Sequence, residues 1–306
     1  MNTKALSWTI LIGLSLVWGS SFILMKQGMK AFSSDEVAAL RITIAAAFML
    51  PFQLRYFRID LKKNLKGLLL MGVFGNLIPA FLFTKAETEI SSSLTGMLNA
   101  LTPLFTIIVG MLAFGQAASR NQVAGVLFGF VGAVVLVMYG DDGSEQSKNI
   151  LYSLLVALAT LCYAISVNGI KAYLSELDSM QATVWSFSLI GPVAAIYLFG
   201  FTDVVKHAKE NPEAMYSLGF ICILAILGSA ISVVVYNVLI KLSGTVFAAS
   251  CTYLIPVVAI GWGVYDGEHV NGMQLLAVLV IITGIWLINR KRKPIGSDAA
   301  SGTRRV

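Results

Sequence analysis

Ten apolar runs, at residues 8–25, 37–54, 68–83, 94–114, 123–139, 150–170, 182–201, 218–239, 246–265 and 273–288, constrain this chain more than any other feature. A helix needs roughly 20 apolar residues to cross a hydrocarbon core of about 30 Å. Ten crossings occupy about 200 positions, which leaves about ten for each connection or tail. A separate folded nucleotide-binding or catalytic domain, typically about 100 residues or more, has no room. The chain is 57% hydrophobic and only 12% charged. A soluble domain carries about 25% charged residues, so half that number cannot solvate a globular surface. An ordinary cytosolic enzyme is thereby excluded, and the expected fold is an all-α integral membrane protein with ten transmembrane helices. The first run follows Lys4 as a signal peptide would, but it is too long for an h-region. It holds Trp18, Gly19, Ser20 and Ser21 without a clear cleavage site, so it reads as an uncleaved first helix.

The net charge of +6 points to nucleic acid only until the basic residues are placed against the spans. With the N-terminus inside, cytoplasmic segments collect fifteen basic residues, including Lys62, Lys63, Lys66 and the cluster Arg290 to Lys293; the opposite side collects six, Lys26, Lys30, Lys85, Lys148, Lys206 and Lys209. That bias sets both termini in the cytoplasm. Acidic residues such as Asp35, Glu87, Asp141, Asp142, Glu145, Asp266 and Glu268 fall on the outer side. The three cysteines, Cys162, Cys222 and Cys251, lie in apolar runs and read as small core residues rather than a disulfide framework. Beyond Pro294 the chain is polar and small, and a disordered cytoplasmic tail is expected at 294–306.

Laid on the first half, the second half shows a weak repeat. Trp18 falls opposite Tyr163 and Lys26 opposite Lys171 at an offset of 145, Pro103 opposite Pro256 at 153, and Gly115 opposite Gly267 at 152. Gly132 falls opposite Gly284 at the same 152. The units are expected at 1–145 and 146–293. Each holds five helices, an odd number, so the second copy must enter the membrane from the opposite side, giving two inverted five-helix repeats. Such repeats pack about a pseudo-two-fold axis in the membrane plane and place a substrate site near the midplane, where rocking of the halves gives alternating access. The plainer alternative is a duplication that merely produced a stable bundle.

The motifs then become specific. Trp-Gly-Ser-Ser-Phe at 18–22, Ala-Leu-Arg at 39–41, the serines at 91–93, Pro103 and Pro256 in the fourth and ninth runs, and Gly267-Glu268 after the ninth resemble the EamA-type drug/metabolite transporter superfamily across roughly residues 8 to 290. The resemblance implies inner-membrane carriers, commonly exporters of amino acids or other metabolites. The family pattern often has Gly-Glu after the fourth helix too; here Gly115-Gln116 stands in its place.

Arg41 is the most informative single residue. It lies about 9 Å down its helix from Asp35, at 1.5 Å per residue, where an arginine needs water, a headgroup or a partner. Either it faces a cavity, holding a substrate carboxylate or closing an outer gate against Glu87 or Glu89, or it snorkels to the interface. Lys26 and Lys171 read as helix-end lysines that snorkel, or as matched gate latches. Uncharged polar groups within spans need partners where there is no bulk water, so Asn76, Asn99, Asn168 and Asn237 are candidate substrate contacts, with interhelical hydrogen bonding the alternative. Trp18, Tyr163, Tyr236 and Tyr253 stand well inside their runs and suit an amphipathic solute, or simply pack. Trp8 fits an interface belt, and Trp185 sits where its helix can turn it to lipid. Pro103 and Pro256 are the candidate hinges. Gly125, Gly129 and Gly132 mark a close-packing face.

Other chemistries lack their residues. There is no G-x-x-x-x-G-K-[ST] loop, and His207 and His269 form no metal-binding motif with the cysteines, so neither cofactor nor metal is expected. No run pairs carboxylates within the hydrocarbon, which leaves Glu268 a poor proton carrier and makes uniport or exchange as defensible as proton antiport. The expected partners are a small organic solute and the lipid bilayer, with no nucleic acid and no obligate protein. The expected function is a secondary transporter exporting amino acids or similar metabolites. Alternatives are a channel-like facilitator, a carrier of drugs, sugars or nucleotide-sugars, and an intramembrane lipid enzyme, for which no convincing nucleophile, acid or metal site is present.

Overall fold

The computed structural model describes residues 3–56, 58–116, 119–139, 146–249 and 251–289. The tail at 294–306, the basic cluster at 290–293 and the acidic residues at 141, 142 and 145 lie outside them. Among the described residues every regular element is a helix: α1 (Thr3–Gly28), α2 (Ser34–Tyr56), α3 (Leu61–Ala86), α4 (Ser92–Phe114), α5 (Arg120–Met138), α6 (Gln146–Tyr173) and α7 (Ser179–Phe201). A short helix, Val204–Glu210, precedes α8, which is built from the consecutive segments Ala214–Ile223, Leu224–Ile231 and Ser232–Ala249. Then come α9 (Cys251–Tyr265) and α10 (Gly272–Asn289). By length and composition α1 to α8 are long and apolar enough to cross a membrane, and α9 and α10 are shorter apolar helices. The break expected ahead of residue 246 falls later, because helix continues to Ala249.

Helix ends fall where the sequence supplies partners for the backbone groups that a helix leaves free. The Asp60, Ser91 and Asp178 side chains accept from the first free N–H groups of α3, α4 and α7, and Ser119 with Gln122 forms a capping box on α5. After α4 and α9 the chain turns through Gly115 and Gly267 at φ 61° and 85°, a left-handed conformation that a Cβ disfavours. These glycines are repeat-equivalent.

Three helices are irregular in the middle. α3 widens to a π-helix over Leu70–Leu77 and α8 over Leu224–Ile231. Within each, a polar side chain bonds the carbonyl five residues back: Asn76 Nδ2 donates to Met71 O at 3.1 Å, and Ser229 Oγ to Leu224 O at 3.5 Å. Asn76 and Ser229 are 153 residues apart, the offset that also relates Pro103 to Pro256. α4 tightens to a 3₁₀ turn at Asn99–Leu101 just before Pro103, whereas Pro256 lies within a continuous α9. The two candidate hinges thus sit in different local geometry.

Packing follows the repeat. α2 lies against α7 and α5 against α10, while α1 rests on α9 and α8 as α6 rests on α4 and α3. Exchanging the two sets of five helices leaves this pattern unchanged. Trp185 Nε1, near the start of α7, donates to Tyr56 O at the end of α2 (3.2 Å), and Tyr197 OH, near the end of α7, lies 3.4 Å from Asp35 at the start of α2. The equivalent helices are therefore antiparallel, and Trp185 is anchored rather than turned to lipid. In α5 and α10, a Cβ on Gly132 would lie 2.8 Å from Ala277 O and one on Gly284 2.6 Å from Gly125 O, so both glycines let the backbones meet. Large apolar side chains such as Phe128 and Phe130 on α5, Ile196 and Phe199 on α7 and Leu279 on α10 are exposed on the outside of the bundle, the surface that hydrocarbon covers.

Gly284→Ala forces α5 and α10 apart, because the added methyl meets backbone rather than a movable side chain. A loss of about 1–3 kcal/mol is expected, read as a lower melting temperature in detergent. Gly261→Ala, which opens onto empty space within α9, is the control and should leave melting unchanged or raise it, since Ala is the better helix former.

Candidate functional site

The three irregular helices converge on one cavity of about 140 Å³. Its wall is drawn from α1, α2, α3, α4, α6, α8 and α9, so both repeats contribute. Of the residues singled out in the sequence, Trp18, Arg41, Asn76, Asn99, Tyr163, Tyr236 and Asn237 all line it. Asn168 and Tyr253 do not: Asn168 joins α6 to α4 by donating to Thr106 O (3.0 Å) and accepting from Gln116 Nε2 (2.9 Å), and Tyr253 OH donates to Ile285 O of α10 (2.8 Å). Pro103 and Pro256 are buried outside the wall.

Aromatic groups shape the apolar side. Trp18 and Tyr236 meet edge to face with ring centroids 5.1 Å apart, and Tyr163 stacks on Phe83 at 5.7 Å. Trp18 Nε1 donates to Gly228 O at 2.9 Å, inside the π-helical segment of α8. The same repeat symmetry governs the wall: Gly228 approaches Ser21, and its counterpart Gly75 approaches Ser166.

Arg41 supplies the charge. Its Nε donates to Ser229 Oγ at 2.7 Å, with Met25 Sδ 3.9 Å from a terminal nitrogen and Tyr163 beside it. Arg41 is thus part of the cavity wall, tied to α8 through Ser229. Elsewhere in the wall Asn237 Nδ2 is buried without a hydrogen-bond partner among the described residues. A fixed cation and a free amide donor on an aromatic-lined wall form a set that can hold a small anionic or zwitterionic group.

Beyond the cavity lies a charged cluster that the sequence did not reveal. Glu268, in the turn between α9 and α10, reaches the N-terminus of α4. One carboxylate oxygen accepts from Ser92 N (3.0 Å) and Ser92 Oγ (2.8 Å), the other from Ser93 N (2.9 Å) and Ser93 Oγ (2.5 Å). Lys26 at the end of α1 completes the cluster, 2.8 Å from Glu268 and 2.7 Å from Asp266. A helix N-terminus and an ammonium both favour an anion here. Burial works to raise the Glu268 pKa, but the bonds from Lys26, Ser93 and Ser92 prevail and hold it at about 2. Lys26 is thus a paired lysine, whereas its counterpart Lys171 is exposed at the other end of the bundle. There Gln116 occupies the place equivalent to Glu268 and bonds Asn168 instead. Gly267-Glu268 and the serines at 91–93 were both legible as motifs, but nothing in either told that they touch.

Glu87 directly follows α3, one turn after the cavity-lining Phe83, and the charges of Glu268, Lys26 and Arg41 act on it. Both its oxygens are buried and find no hydrogen-bond partner among the described residues. Burial first, and the Glu268 charge second, push its carboxyl well above the usual carboxylate range, against the opposing pull of Lys26 and Arg41. Glu89, the other acid considered for Arg41, is exposed.

A polytopic helical protein with a mainly apolar cavity, bearing a few polar groups, between two structurally equivalent sets of helices is the architecture of a membrane transporter. The EamA-like transporter family model matches residues 5–138 and 150–290, and the chain belongs to that family. It is 28% identical over 290 residues to an uncharacterized inner membrane transporter, YedA, of Escherichia coli K12, covering 91% of this chain and 89% of that one. It is 24% identical over 283 residues to an uncharacterized transporter, YyaM, of Bacillus subtilis, covering 91% and 92%. A probable amino-acid metabolite efflux pump of Salmonella typhimurium is 26% identical over 282 residues, covering 89% and 91%. A solved crystal structure shares the fold with a TM-score of 0.62 at 18% identity, covering 92% of this chain and 96% of its own. The family and these relatives are named as transporters, not enzymes. The protein is a multi-pass membrane transporter.

Glu268→Gln removes the charge from five hydrogen bonds, and a destabilisation on the order of 2 kcal/mol is expected, read by thermal melting in detergent. Because the folded pKa is depressed, the charge stabilises above the unfolded carboxylate value near 4.3 and its contribution is lost as pH falls toward about 2. The wild-type and Glu268→Gln melting curves should therefore differ at pH 7 and converge in strong acid. A constant difference across that range would remove the ionised carboxylate as the cause.

Proposed function

We propose that the chain is a secondary carrier that exports small organic solutes, amino acids or similar metabolites, by alternating access through the cavity. In this reading 1–145 and 146–293 are inverted five-helix repeats, α1 to α7 with α8 to α10 make ten crossings, and both termini are cytoplasmic. The antiparallel packing of α2 on α7 and of α5 on α10 supports the inversion, and the fifteen-to-six basic bias supports the orientation.

The observation that carries the reading is a cavity wall that contains both Arg41 and the Asn237 amide, whose Nδ2 has no hydrogen-bond partner among the described residues. A solute carboxylate in the cavity gains a charge-assisted bond from Arg41, and another polar group of the same solute can satisfy the buried Asn237 donor. Trp18, Tyr163, Tyr236, Asn76 and Asn99 complete the proposed contacts. The space is close to the roughly 150 Å³ that admits a benzene-sized solute, so one small amino acid fits and a nucleotide-sugar does not. The name of the Salmonella relative, an amino-acid metabolite efflux pump, agrees with this chemistry.

Counterflow in proteoliposomes loaded with unlabelled L-amino acids tests it. Transient accumulation of radiolabelled L-amino acids is expected for the wild type, and Arg41→Gln should reduce it at least tenfold with folding and expression intact. Movement without trans-acceleration would indicate a channel. Unchanged counterflow in Arg41→Gln would remove Arg41 from the site.

A further inference from the structure

Lys26 and Arg41, the cations that act on Glu87, have assigned partners; the Glu87 carboxyl has no hydrogen-bond partner among the described residues. Arg41 bonds Ser229, and Lys26 is shared between Asp266 and Glu268. A carboxylate enclosed without a single hydrogen bond is costly as an anion and tolerable as the neutral acid. The groups that act on it come from three other elements: Lys26 of α1, Arg41 of α2 and Glu268 of the α9–α10 turn. Its own segment adds Lys85 and Glu89, both exposed, and the facing start of α4 presents only Ser92 and Ser93, which are committed to Glu268. Tyr163 of α6 stands beside Arg41.

What encloses Glu87 is also what ties the bundle together at this end. Glu268 links the α9–α10 turn to α4 and to α1 in one cluster, so parting these elements breaks the cluster and admits water to Glu87. We propose that Glu87 is a proton-binding site that is occupied while the Glu268 end is shut and gives up its proton when that end opens. The step is a simple ionisation. The carboxyl O–H bond breaks, the proton passes to an entering water, and the carboxylate left behind faces Lys26 and Arg41. The direction of linkage follows: the shut state binds one more proton, so acid favours it and rising pH favours opening. Glu268 cannot supply this dependence near neutrality, since it stays ionised down to about pH 2. For the carrier proposed above, on whose alternating access this rests, it makes the transport cycle proton-linked.

The test needs no transported solute. Spin labels on cysteines introduced at Thr88 and His269, both exposed, in a background with Cys162, Cys222 and Cys251 replaced, report the separation of the α3–α4 and α9–α10 turns by pulsed electron resonance. In purified protein the ratio of separated to shut distances should rise with pH, by up to tenfold per unit for one linked proton. Glu87→Gln, an isostere of the protonated acid, should hold the shut distance at every pH. A further imidazole at this end, His207, lies 2.8 Å from Glu36, and His207→Gln should leave the pH response in place. Should Glu87→Gln fail to fold, Glu87→Asp, which withdraws the carboxyl by one methylene, should shift the midpoint. A pH-independent distance in the wild type, the same response in Glu87→Gln, or its loss in His207→Gln would each overturn the assignment. Failed counterflow with an intact Glu87-dependent distance change would defeat the carrier reading alone.

Discussion

Hydrocarbon offers a peptide group no hydrogen-bond partner, and this restriction decides where the bundle is regular and where it is not. α5 and α10, whose outer faces meet lipid, hold α-helical bonding throughout their described lengths. The departures gather where protein surrounds them. The π-helical stretches of α3 and α8 and the 3₁₀ turn of α4 all border the cavity, and side chains take up the freed carbonyls. Asn76 and Ser229 bond back within their own π segments, and Trp18 takes Gly228 O from α1. The cavity is thus made by backbone geometry before any side chain shapes it.

Charge is handled by the same logic. Each ion inside the protein needs a partner or must surrender its charge. Glu268 gathers serine hydroxyls, backbone N–H groups and a lysine, and stays ionised; Glu87 finds no hydrogen-bond partner among the described residues and is driven toward the neutral acid. Substituting Gln116 for the expected glutamate in the first repeat leaves the opposite end with an amide-to-amide bond where the Glu268 end has an ion pair. The fold is symmetric, and the strength of its two ends is not.

Much of the architecture was legible. The apolar run 94–114 became Ser92–Phe114 and 182–201 became Ser179–Phe201, each extended outward only to its polar cap. The match of Gly115 with Gly267 has a structural counterpart, since they end α4 and α9 in the same left-handed turn, whereas the matched Pro103 and Pro256 stand in different local geometry. The site was less legible. Arg41, Trp18 and Asn237 were chosen because polar and aromatic groups inside apolar runs are anomalous, and they share one wall; Asn168 is equally anomalous, yet its amide serves the α6–α4 joint. Composition gives no sign of which way a helix rotates, and rotation separates those two fates.

The sequence by itself determined that the chain is a membrane bundle of two related halves, because apolar run length and internal repetition are properties of the linear order. It also located the charges. Tertiary structure alone decided what those charges do. The contacts that matter, Lys26 to Glu268 across 242 positions and Arg41 to Ser229 across 188, join residues whose local surroundings do not encode each other. A buried charge takes its state from the dielectric and the donors around it, and those are set only once the helices have packed.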